Sequence, residues 1–79
     1  MTGTELIKED LKNYLGKEFE ANEIHDDIWV REKGSAVGYR WDKKTNTIMK
    51  HCEGDKPIFD NCYSLNDMFK FIVKDNRPN

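Results

Sequence analysis

The chain has 79 residues, 35% of them charged, and a formal net charge of −2. A chain of this length is expected to form one small domain over residues 1–79, and it buries only roughly 60% of its unfolded surface on folding. The thin core leaves little room for an enclosed active site, and the charge balance lacks the basic excess of a general nucleic-acid-binding protein.

The first predicted element is an amphipathic helix at about residues 3–15. Thr2 and Glu5 have the spacing of a capping box, with Thr2 as the N-cap residue. Gly16 suits the left-handed residue that follows a helix. The apolar positions that repeat at helical spacing are Ile7, Leu11, Tyr14 and Leu15.

Strands are predicted to follow this helix. Residues 19–25 alternate only in part, so a strand there is left open, whereas residues 28–32 alternate cleanly. Residues 36–52 predict a hairpin in which a four-residue loop places Trp41 opposite Ile48 and Val37 opposite Cys52. The expected core face carries Val37, Tyr39, Trp41, Ile48 and Cys52. The expected opposite face carries Gly38, Arg40, Met49 and His51.

The last third of the chain predicts a turn, an edge strand and a second helix. Residues 53–57 are rich in turn formers, and Pro57 suits the start of an edge strand at 58–63. Ser64 is the expected N-cap of a helix whose apolar positions are Leu65, Met68, Phe69, Ile72 and Val73. The pattern predicts a two-layer α+β fold in the order α-β-β-β-β-α, with an antiparallel sheet of three or four strands. Whether both helices cover one sheet face is left open.

The residue types that carry catalysis or bind metals do not form a recognisable motif. The chain has no close pair of metal ligands such as C-x-x-C, and the adjacent His51 and Cys52 point to opposite faces of a strand. No sequence feature requires a histidine beside Cys52 or Cys62, and free thiols are favoured over a disulfide. We therefore expect no metal, no cofactor and no enzymatic activity.

Charge is unevenly distributed along the chain. Residues 17–32 have a net charge of −4, and residues 33–50 have a net charge of +4. Attraction between neighbouring strands explains this most simply. A second explanation is that each segment faces a partner of opposite sign.

Contact with another protein is the leading functional prediction. Trp, Arg and Met are enriched at protein interfaces. An acidic strand can also imitate a phosphate backbone, as in the small inhibitors that phages carry against host nucleases, although this analogy rests on size and charge alone. We predict an inhibitor of a nucleic-acid-handling protein, of phage or mobile-element type. The predicted partner-binding residues are Glu18, Glu20, Glu23, Asp26, Asp27, Trp29, Arg40, Met49 and His51.

Nucleic-acid binding at the hairpin tip is the alternative prediction. It uses Lys43, Lys44 and Lys50, with Tyr39 and Trp41 as stacking surfaces, although both aromatics are more simply core residues. The first 15 residues lack the apolar segment of a signal peptide, and no apolar run approaches the roughly 20 residues of a membrane span. We expect a cytoplasmic protein without membrane contact, as a monomer or as a weak homodimer formed through an edge strand.

Overall fold

The computed structural model describes residues 2–76, which form two helices and one sheet. The helices are α1 (Gly3–Leu15) and α2 (Leu65–Asn76). The strands are β1 (Phe19–Ile24), β2 (Asp27–Glu32), β3 (Gly38–Asp42), β4 (Thr47–His51) and β5 (Ile58–Asn61). The two-layer α+β arrangement is confirmed.

Both helices begin where the sequence predicts, and α1 also ends at the predicted residue. The Glu5 amide donates to Thr2 Oγ1 at 3.3 Å, and Gly16 follows α1 in the left-handed conformation with φ 69°. At α2 the Asp67 amide donates to Ser64 Oγ at 3.2 Å, and Asp67 Oδ2 accepts from the Tyr63 amide at 3.0 Å. Each cap satisfies amides that lack a partner within the first helical turn.

The five strands form an antiparallel meander in the order β1-β2-β3-β4-β5. The sheet thus has five strands where three or four were expected. Residues 19–25, where the sequence left a strand undecided, contain the full strand β1. It pairs with β2 from Phe19–Glu32 to Ile24–Asp27. A tight turn at His25 and Asp26 joins them, and β2 begins at Asp27.

The β3–β4 hairpin has the predicted register. Trp41 pairs with Ile48 and Tyr39 pairs with Lys50. The ladder ends where Gly38 pairs with His51, so the expected pairing of Val37 with Cys52 falls just beyond the strands.

Both helices pack on one face of the sheet, which we call the inner face. One buried cluster joins side chains of both helices to those of four strands. Its helix members are Ile7, Leu11, Met68, Ile72 and Val73, and its strand members are Phe19, Ile28, Val30, Tyr39, Trp41 and Ile48. The opposite side, the outer face, therefore stays outside the two-layer core.

Polar contacts fix α2 to the inner face at both ends. Near its start, Trp41 Nε1 donates to the Cys62 carbonyl at 3.0 Å. Near its end, Asp75 accepts from Tyr39 Oη at 2.5 Å and from Lys50 Nζ at 2.7 Å. Asn76 Nδ2 donates to Tyr39 Oη at 3.1 Å. We call the second group, Tyr39, Lys50, Asp75 and Asn76, the Asp75 tether.

Candidate protein-binding surface

The outer face carries a row of side chains that crosses the whole sheet. Successive cross-strand partners in this row are Asn22, Trp29, Arg40, Met49 and Phe59. Residues 2–76 place no helix over this row, because both helices pack on the inner face. Four of the predicted contact residues, Trp29, Arg40, Met49 and His51, therefore lie together on an open face.

Trp29 is held in place by two neighbours on the outer face. The Arg40 guanidinium carbon lies 5.3 Å from the centroid of the Trp29 ring, within the range of a cation–π contact. The His51 ring stacks on Trp29 at 6.2 Å, with an angle of 10° between the planes. These contacts hold the half-buried indole in one orientation in the free chain.

Asp27 orients Arg40 from the neighbouring strand. Arg40 Nε and Nη2 both donate to Asp27 Oδ2, at 2.9 and 2.7 Å. The side chain of Asp27 is only 16% exposed, so this pair is better shielded from solvent than the other ion pairs between strand residues. Asp27 acts on this surface mainly by positioning Arg40.

A hollow of about 420 Å³ lies beside Trp29 on the outer face. Trp29, His51 and Arg31 are among its lining residues, and Gly38 stands between Arg31 and His51 in the ladder. A Cβ at Gly38 would meet only the Val30 carbonyl oxygen, at 3.9 Å, so the missing side chain leaves open space. Among the described residues, His51 Nε2 is buried without a hydrogen-bond partner.

The acidic residues do not share one face. Glu20 lies on the outer face and pairs with Arg31 at 2.9 Å, whereas Glu23 pairs with Lys43 at 3.6 Å. These two positions differ by an odd number, so their side chains point to opposite faces of β1. Glu18 precedes β1, and Asp26 lies in the turn that follows it. Glu23–Lys43 joins the acidic segment to the basic one, and so does Asp27–Arg40 between the neighbouring strands β2 and β3, in agreement with mutual attraction between the two segments.

The lysines proposed for nucleic-acid binding are also dispersed. Lys43 lies 5.4 Å from the Trp41 ring centroid, and Lys50 points to the inner face, where it binds Asp75. Lys44 stays exposed at the hairpin tip. Tyr39 and Trp41 are only 2% and 8% exposed, so neither presents a ring for base stacking.

The two cysteines are free thiols in different environments. Cys62 is fully buried, and burial raises the pKa of its thiol to about 11. Cys52 is partly exposed. Within residues 2–76, no three side chains of the His, Cys, Asp and Glu types are grouped to hold a metal ion.

Sequence reasoning missed two parts of the surface. The hollow at Gly38 was not predicted, although a glycine within a strand often marks a place where another group approaches closely. Phe59 was assigned to an edge strand without a face, and its pairing with Met49 places it at the end of the outer row. Both depend on sheet register, which local composition does not specify.

Comparison with protein-family models, curated proteins and solved structures gave no match to this chain. In the part of the chain from residue 2 to residue 76, neither helix has the length and apolar character needed to cross a membrane. Function is therefore inferred from the geometry of the outer face.

Proposed function

We propose that this chain is a non-enzymatic protein that binds another protein through the outer face of its sheet. The observation that carries the proposal is the grouping of Trp29, Arg40, Met49 and His51 on a face that neither helix covers. Large aromatic and Arg side chains near the centre of a contact supply most of the binding free energy at typical interfaces.

The hollow at Gly38 gives this surface a place for an anchoring side chain. An apolar or aromatic group of the partner fits against the Trp29 ring, and the row continues through Met49 to Phe59. Met49 adapts its shape to the partner because its side chain is unbranched and flexible. Arg31 and Glu20 border the hollow and supply polar contacts at its rim.

Exposed acidic side chains at and near the β1 edge, of which only Glu20 points to the outer face, favour a partner with a basic groove. Glu18, Glu20 and Glu23 remain 60%, 47% and 51% exposed. Exposed ion pairs contribute only about 0–1 kcal/mol, so a cationic partner displaces them at low cost. Such a partner would be a nucleic-acid-handling protein, inhibited in the cytoplasm by a small chain of phage or mobile-element type.

A Gly38→Val variant tests this proposal without weakening the fold. Valine suits a strand better than glycine, and the site has room for a Cβ, so we expect the free energy of unfolding to stay equal or rise by up to about 1 kcal/mol. The added side chain occupies part of the hollow, between Arg31 and His51. Capture from an extract of the source cells by immobilised wild type should enrich a defined protein, and Gly38→Val and Trp29→Ala should lose it.

Leu6→Glu is the matched control, since Leu6 is an exposed apolar residue on the helix layer. It should retain the captured protein. The isolated partner should then bind nucleic acid more weakly when the chain is added. The proposal is wrong if Gly38→Val captures the same proteins as wild type, or if Leu6→Glu loses them equally.

Direct nucleic-acid binding through Lys43 and Lys44 is the alternative. A salt-dependent mobility shift with single-stranded oligonucleotides, lost in Lys43→Glu/Lys44→Glu, would support it. Because Lys43 is paired with Glu23 and the adjacent aromatics are buried, we expect no shift at low salt.

A further inference from the structure

The two edge strands of the sheet, β1 and β5, differ in the side chains that they expose to solvent. The β1 edge carries charged side chains, among them Glu20 and Glu23. On β5, Ile58 is 53% exposed and Phe59 is 61% exposed, and Tyr63, which follows the strand, is 67% exposed. The β5 side thus exposes three large apolar side chains, whereas β1 exposes one, Ile24.

An edge strand presents backbone N–H and C=O groups without partners, and proteins usually protect such edges with charge. The charged β1 edge is protected in this way. The β5 edge has Asp60 as its only charged strand residue, and Pro57, which lacks an N–H, stands just before the strand. Residues 58–61 therefore remain available for pairing with another strand.

We propose that β5 pairs antiparallel with β5 of a second copy of this chain, which joins two five-stranded sheets into one. The axis that relates antiparallel neighbours is perpendicular to the sheet, so the outer faces of both copies lie on the same side. Directly opposed residues must then come from the same face.

Charge selects the register of this pairing. A register centred on Asp60 brings two carboxylates opposite each other, which is unfavourable. A register centred on Ile58 brings Pro57 into the ladder, where its missing N–H leaves a carbonyl unpaired. The register centred on Phe59 keeps the two carboxylates apart, and it places Pro57 only at the end of the ladder, opposite Asn61. It sets Phe59 against Phe59 of the second copy and Ile58 against Asp60.

This register continues the outer row across the interface. Phe59 is the cross-strand partner of Met49 within one copy. Pairing two Phe59 rings covers the most exposed aromatic side chain of the strand, and aromatic cross-strand pairs stabilise antiparallel sheets. The partner that fits the β5 edge is therefore a second copy of this chain.

Sedimentation equilibrium from micromolar to millimolar concentration tests the proposal. Wild type should convert reversibly from monomer to dimer. Phe59→Lys should weaken the association at least about tenfold, because it replaces an aromatic pair by like charges. Ile24→Lys is the matched control, since Ile24 is similarly exposed at 51% and lies on β1 at the opposite edge. It should change the dimer constant by less than about twofold.

Asp60→Asn tests the register. It should leave the association nearly unchanged if Phe59 is central, whereas tighter association would show that Asp60 is central and overturn this register. A wild type that stays monomeric at millimolar concentration, or a Phe59→Lys variant that dimerises as wild type does, would overturn the dimer itself. The assay contains no other protein, so its failure would leave the outer-face proposal standing.

Discussion

At the level of single residues, the two cysteines should react very differently with a thiol reagent. The reactive species is the thiolate. With a pKa of about 11, Cys62 is ionised to only about one part in a thousand at pH 8, and it is also shielded from the reagent. We expect one rapidly reacting thiol, Cys52, in the folded protein and two after denaturation.

A Cys52→Ser variant provides the control for this thiol assay. It should show almost no reaction until denaturant is added. Equal reaction rates for both thiols in the folded wild type would contradict the buried position of Cys62.

Residue positions within the hairpin followed from the sequence, but long-range polar contacts did not. Counting four loop residues was enough to pair Trp41 with Ile48, since strand side chains alternate strictly. By contrast, the contacts of Asp75 with Tyr39 and Lys50 join residues 36 and 25 positions apart. Nothing in a local pattern distinguishes such an acid from an ordinary charge at a helix end.

At the level of elements, the Asp75 tether should make the attachment of α2 sensitive to alkaline pH. Burial and the hydrogen bond to Asp75 raise the pKa of Tyr39, and the hydrogen bond to Asp75 raises the pKa of Lys50. In the unfolded chain both groups lose their protons near pH 10. Above about pH 10 the folded state binds more protons than the unfolded state, so the free energy of unfolding falls as pH rises.

Urea unfolding between pH 7 and pH 11 measures this effect. The free energy of unfolding should be nearly level up to about pH 8 and then decline, first through the buried Cys62 thiol, whose pKa is also raised, and above about pH 10 through Tyr39 and Lys50. Tyr39→Phe removes the phenol and its hydrogen bonds, so it should cost about 1 kcal/mol at pH 7 and decline less steeply above pH 10. Stability that stays constant to pH 11 in wild type would contradict this role of the tether.

Element types were more predictable than their faces. The apolar spacing in α1 and α2 was sufficient to place both helices, and turn residues marked most strand ends. The β1 strand remained ambiguous because it lies at an edge, where Glu20, Asn22 and Glu23 are exposed and little alternation is left. Its acids were also treated as one surface, although alternation divides them between two faces.

At the level of the whole molecule, the decisive fact is that both helices cover the same sheet face. The sequence shows which side of each helix is apolar, but not on which side of the sheet the chain turns. That choice depends on the loops after α1 and before α2, where Gly16 is left-handed and Cys62 is buried. The outer face, and with it the proposed binding surface, follows from this arrangement.

The two tryptophans report this arrangement in solution. Trp41 is buried beneath the helices, and Trp29 lies half-buried on the open face. A Trp29→Phe variant should therefore show blue-shifted emission and much weaker acrylamide quenching than wild type. Unchanged quenching in this variant would indicate that the outer face is covered. Binding of a partner to the outer face should protect Trp29 in the same assay.

The meander also has a consequence for how the chain folds. Every strand pairs with its neighbour in sequence, so the sheet can grow from one hairpin to the next while only short loops are closed. α1 packs against β1 and α2, and α2 is separated from it in the chain by the whole sheet. We therefore expect the hairpins to form early and the contact between the helices to form last. Substitutions in the β3–β4 hairpin should slow folding, whereas Leu11→Ala in α1 should mainly speed unfolding.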